Sequence, residues 1–108
     1  MKLPADTLIA RRKITDYLLA WRLEDDKSAF LAGAGYAPQT ADRLLADLRM
    51  QLLPLKARLL ERDEYGAKYE ICGKLTGPNG RALRVVSIWM IEDATGQAKF
   101  VTLYPDKT

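Results

Sequence analysis

Apolar residues recur at helical spacing through the first half of the chain and at strand spacing through the second. In "RRKITDYLLAW", Ile14, Tyr17, Leu18 and Trp21 follow at three- and four-residue intervals, which predicts a first helix with one core-facing stripe and Asp6 or Thr7 as its cap. The acidic turn "LEDD" ends it, and "KSAFLAGAGY" predicts a short second helix closed by Gly33 or Gly35. Thr40 is a good N-cap for a third helix, "ADRLLADLRMQLL", with Leu44, Leu45, Leu48 and Leu52 on one side and Pro54 as its stop.

Beyond Leu55 the turn signals "RDEYG", "GPNG" and "EDATGQ" come at short spacing and delimit four strands near residues 56–62, 67–76, 81–91 and 99–104, joined as a meander. Helices followed by strands predict an α+β domain, with N-terminal helices (1–54) packed on one face of a four-stranded antiparallel sheet (55–108). At 108 residues this is a single domain with one core.

Symmetric closure of the hairpin at "GPNG" sets Tyr69 opposite Ile88 and Ile71 opposite Val86, and the last hairpin aligns Val86, Ile88 and Met90 with Val101 and Leu103. That register is apolar and is expected to meet the helices. The other collects Lys68, Glu70, Cys72, Lys74, Ser87, Trp89, Phe100, Thr102 and Tyr104. Thr, Tyr and Trp suit any pleated surface, so a solvated sheet face is one reading. The other is a shallow site for single-stranded RNA, in which Lys68 and the hydroxyls of Thr102 and Tyr104 hold a phosphate, Glu70 supplies a carboxylate and Trp89 stacks on a base.

Composition narrows the chemistry. The chain contains no histidine and one cysteine, Cys72, which excludes a Ser-His or Cys-His nucleophile pair, a disulfide framework and a multi-cysteine metal site. Catalysis would have to use Lys, Arg, Tyr, carboxylate or hydroxyl groups, and no metal or cofactor is expected. Seventeen Lys and Arg against fourteen Asp and Glu give a net charge of +3, a mild bias toward anionic partners. The run Arg11, Arg12, Lys13 reads either as a solvated helix face or as a phosphate clamp. No apolar stretch approaches the roughly 20 residues of a membrane span, and the N-terminus lacks a signal-peptide core, so no membrane association and a cytoplasmic location are expected.

The succession "KITDYLL", "KSAFLAGAGY", "EYGAKYEICGKLTGPNGR", "VSIWMIE" and "FVTLYP" resembles a family of small uncharacterised bacterial domains, over nearly the whole chain. Members look like stand-alone proteins or C-terminal modules of toxins. The layout is similar to the barnase, EndoU, colicin-nuclease and RelE group of metal-independent ribonucleases. The positions that match the family's polar motif are Lys13, Tyr17, Lys27, Tyr65, Lys68, Tyr69, Arg81, Trp89, Thr102 and Tyr104.

The resemblance implies a toxin-like endoribonuclease, paired with a small acidic antitoxin-like protein, in which a ribose 2'-hydroxyl attacks the adjacent phosphorus. Lys13, Lys68, Thr102 and Tyr104 would be its catalytic groups, with Glu70 or Tyr17 assisting proton transfer and Arg12, Lys27, Arg81 and Trp89 holding RNA. A non-catalytic module binding protein or RNA, and an antitoxin or immunity-type protein, are the competing readings.

Overall fold

The alternating half of the chain forms a meander of order β1-β2-β3-β4, all antiparallel: β1 (Arg58–Arg62), β2 (Gly66–Thr76), β3 (Ala82–Glu92) and β4 (Ala98–Pro105). The computed structural model describes residues 1–19 and 27–107. The expected fold class is the observed one, with every strand within two residues of its predicted limits.

On the helical side, a π-helical turn spans Lys13–Leu18, α1 is Ser28–Ala32, and α2 (Ala41–Asp47) runs on into a second π-helical turn, Leu48–Leu52, before Pro54. Ile14, Leu18, Leu31, Leu44, Leu48 and Leu52 are fully buried against Ile71, Leu75, Val85 and Leu103 of the sheet. Trp21 and the "LEDD" turn lie outside the described residues.

Neither Asp6 nor Thr7 caps the first helix, because residues 1–9 are not its approach but an irregular strap across the core. Thr7 is buried and its hydroxyl donates to Pro4 O at 2.6 Å. Leu3 and Ile9 join the core, and Arg49 fastens the strap by donating to Ala5 O and Thr7 O, each at 2.9 Å. Leu8 then bridges β4 in parallel: its N–H donates to Ala98 O and its carbonyl accepts from Phe100 N–H, both at 2.8 Å. Thr40 precedes α2 as expected, but its hydroxyl turns back to Ala37, accepting from that N–H at 2.9 Å.

The expected sheet register is one residue out. Residues 77–81 form a five-residue loop, closed by Gly77 N–H donating to Arg81 O at 3.0 Å, and Tyr69 therefore pairs with Trp89, and Ile71 with Ser87. With a side-chain period of two, that single residue exchanges the faces of β3. The loop is held by its tip: Asn79 N–H and Nδ2 donate to Ala34 O and Gly33 O, both at 3.2 Å. Gly77 packs so closely there that a Cβ would stand 2.1 Å from Ala34 O.

A second irregularity corrects β4. Ile88 pairs with Thr102 but Trp89 with Phe100, so Val101 is an extra, bulged residue. The bulge lets Phe100 enter the core while Thr102 stays on the opposite face. Trp89 is therefore not a solvent-facing base platform. It is fully buried, 5.1 Å from the Phe100 ring in an edge-to-face contact, and its indole N–H donates to buried Ser87.

Candidate functional site

Because β2, β3 and β4 pair without crossover, the face turned away from the helices can be read row by row. One row runs Glu61, Lys68, Met90, Lys99; the next Arg58, Glu70, Ile88, Thr102; the third Cys72, Val86, Tyr104. Lys68, Glu70, Thr102 and Tyr104 thus share a face, as the sequence leads one to expect, around an apolar column of Val86, Ile88 and Met90 in place of Ser87 and Trp89. Val86 and Ile88 are buried although they lie outside the helix-facing core cluster.

The third row and its neighbours enclose a depression of about 690 Å³, lined by Arg58, Glu70, Cys72, Val86 and Tyr104. Arg58 forms an ion pair with Glu70, whose side chain is only 14% exposed. Across the depression the Tyr104 phenol stands open to solvent. Partial burial, then the carboxylates of Glu70 and Asp106, hold the Cys72 thiol above its usual pKa, with Arg58 opposing them. The thiol is thus poorly suited to be a nucleophile at neutral pH.

A second cluster forms where the first π-helical turn meets the β4 edge. The turn is wide: Leu19 N–H donates to Ile14 O five residues back. It places Lys13 and Tyr17 on one side, with the Lys13 ammonium 5.8 Å from the Tyr17 ring centroid. Lys27, buried just ahead of α1, donates to Tyr17 Oη at 3.0 Å, and Thr102 Oγ1 donates to the same oxygen at 3.4 Å. Lys13, Tyr17, Lys27 and Thr102 are separated by up to 89 positions in the chain yet form one connected group. Arg12 lines a shallow hollow with Lys13, Asp16 and Tyr17.

Lys13 also links the two clusters. With Lys68 and Lys99 it rims a cleft of about 400 Å³ floored by Leu8, Met90 and Val101. Arg81 is not brought in: it belongs to the 77–81 loop, and the eight residue steps along β2 from Lys68 to Thr76 separate it from this cleft by roughly 26 Å. Tyr65 is exposed beyond the Lys68 end of the face, and Tyr69 packs on the core.

Arg58 and Lys99 were not singled out from the sequence. Arg58 becomes recognisable only once β1 has a register, since what marks it is its place opposite Glu70. Lys99 stands opposite Met90 at the start of β4, and its signal is the basic rim it completes. Among the described residues, no three His, Cys, Asp or Glu side chains gather where they could hold a metal ion, and no helix is long and apolar enough to cross a membrane.

The family model described as Domain of unknown function (DUF6883) matches residues 2–107. The chain belongs to this family. The DUF6883 match runs from the N-terminal strap through all four strands, and so takes in both clusters. No curated protein and no solved structure matches the chain.

Proposed function

We propose that this DUF6883 protein is a toxin-like, metal-independent endoribonuclease that works on the face of its sheet turned away from the helices. The observation that carries the reading is the half-buried Glu70 carboxylate, held by Arg58 and facing the Tyr104 phenol across an open depression. β2 and β4 are two strand spacings apart, about 10 Å, which leaves room for one phosphodiester between the two groups.

In the proposed reaction the ribose 2'-oxygen bonds to phosphorus as its proton passes to Glu70, and the bond from phosphorus to the 5'-oxygen breaks. The leaving oxygen takes a proton from Tyr104, a 2',3'-cyclic phosphate remains, and solvent then restores the proton of Tyr104 and removes the one on Glu70. Arg58 carries the charge that develops on the phosphoryl oxygens, and Thr102 offers a hydroxyl at the next row. An enzyme that cuts its own cell's RNA needs an inhibitor, and the lysine-rimmed cleft beside the site suits a small acidic antitoxin-like protein.

Incubation of purified protein with single-stranded RNA in EDTA tests the reading. Wild type is expected to leave cyclic phosphate ends, Glu70→Gln to be at least about a hundredfold slower, and Tyr104→Phe to be impaired without loss of RNA binding. Binding with no cleavage by wild type would mean a non-catalytic RNA module. Cleavage only with added magnesium would take proton transfer away from Glu70 and Tyr104.

A further inference from the structure

We infer that the cleft rimmed by Lys13, Lys68 and Lys99 is a second phosphate subsite, so that the preferred ligand is single-stranded RNA with at least one phosphate beyond the one over Glu70. The identity of the ligand rests on the ribonuclease reading; the existence of an anion subsite does not.

Three lysines from three elements converge on this cleft: one from the π-helical turn, one from β2 and one from β4. Lys68 lies 3.6 Å from Glu61 and Lys99 2.7 Å from Glu92. Lys13 pairs with no carboxylate among the described residues; its ammonium instead stands over the Tyr17 ring. Among the described residues the rim therefore holds one cation more than its ion pairs neutralise, which is the condition for attracting a phosphate.

The floor is apolar. Leu8 is 50% exposed and Met90 half-buried, while Val101 is the bulged residue of β4. A bulge beside a functional site re-aims a side chain, and in this cleft it adds an apolar group to a floor beneath a basic rim. A charged rim over an apolar floor suits a nucleotide, with phosphate on the lysines and base on Leu8, Met90 and Val101.

Spacing connects the cleft to the proposed reaction centre. The row Lys68, Met90, Lys99 lies two residues along β2 and β3 from the row Arg58, Glu70, Ile88, Thr102, about 7 Å, with the bulged Val101 adding one residue on β4. That is comparable to the step between successive phosphates of an extended single strand. A dinucleoside monophosphate seated over Glu70 has no phosphate left for the lysines, whereas a trinucleotide has one.

Two measurements on the intact protein test this. The first is fluorescence anisotropy with a 2'-O-methyl pentanucleotide, which cannot be cut. Lys13→Ala is expected to weaken binding about tenfold at unchanged melting temperature, and Lys13→Ala with Lys99→Ala to flatten the dependence on log salt by more than one unit, with Lys2→Ala as a control of equal charge. The second compares cleavage of a trinucleotide and a dinucleoside monophosphate, where a KM at least about tenfold lower is expected for the trinucleotide. Lysine-dependent binding without any cleavage discards the ribonuclease reading and supports the subsite. Cleavage with equal KM for the two substrates, or equal small losses for Lys13→Ala and Lys2→Ala, overturns the subsite. Displacement of the pentanucleotide by polyglutamate of equal charge at equal concentration overturns it too, since the cleft would then read charge alone.

Discussion

Ser87 stands within the buried core so that Trp89 can be there. Its hydroxyl donates to Ile71 O at 2.8 Å and accepts from the Trp89 indole N–H, also at 2.8 Å, with both side chains fully buried. A buried indole N–H without an acceptor carries a desolvation cost, and the serine two residues earlier on the same face removes it.

Ser87→Ala leaves that donor unsatisfied while barely changing side-chain volume. Urea unfolding should show a loss of about 1–3 kcal/mol. Trp89→Ala empties a large volume and should cost about 3–5 kcal/mol. RNA binding by Ser87→Ala protein that is still folded should be unaltered; a selective loss of binding would return Trp89 to the ligand face.

Tyr36 donates to Asp47 Oδ2 at 2.6 Å in a buried pair that Arg43 completes through its own 2.9 Å contact with the same oxygen. Burial, then the hydrogen bond and negative charge of Asp47, push the Tyr36 phenol well above its ordinary pKa. The folded state therefore keeps a proton that the unfolded chain releases near pH 10, and stability is lost as pH rises beyond that value. Tyr36→Phe should be less stable than wild type at pH 7, and the gap should narrow between pH 9 and pH 11 in parallel thermal melts. A gap independent of pH would show that the phenol's proton is not what the fold uses.

Cys72 shares its depression with Glu70. A thiol held above its usual pKa carries little thiolate at neutral pH, so alkylation by iodoacetamide should be slow at pH 7 and its rise with pH should be displaced to higher pH than that of a free cysteine. Glu70→Gln removes a negative neighbour and leaves Arg58, and both effects lower the thiol pKa. Mass-spectrometric labelling at pH 7.5 should be faster in that variant; no acceleration would separate Glu70 from the depression.

Gly77 lies where the 77–81 loop meets Ala34, leaving no space for a Cβ. Gly77→Ala should cost about 1–3 kcal/mol by forcing the loop off its seat. Amide exchange should rise first at Asn79, whose N–H is held by Ala34 O.

Periodicity is a local property, and what it encodes was legible. Leu44, Leu48 and Leu52 read as one face of a helix, "GPNG" and "EDATGQ" as turns, and Lys68 with Glu70, like Thr102 with Tyr104, as alternate positions on one side of a strand, because each depends on residues close in the chain; that the two pairs share a face was met only because the one-residue shift at the 77–81 loop and the bulge at Val101 offset each other. Which residues of β3 and Phe100 meet the helices was decided elsewhere. The loop at Gly77 is one residue longer than symmetric closure because its tip is anchored on residues 33–35, and the bulge at Val101 is matched to the room that Phe100 takes beside Trp89. In a strand one residue exchanges inside for outside, so contacts made forty positions away determine which side chains face solvent. The meeting of Arg58 with Glu70, and of Lys13 with Lys68 and Lys99, likewise depends on strand register and on how the π-helical turn packs against the β4 edge, which no local pattern carries.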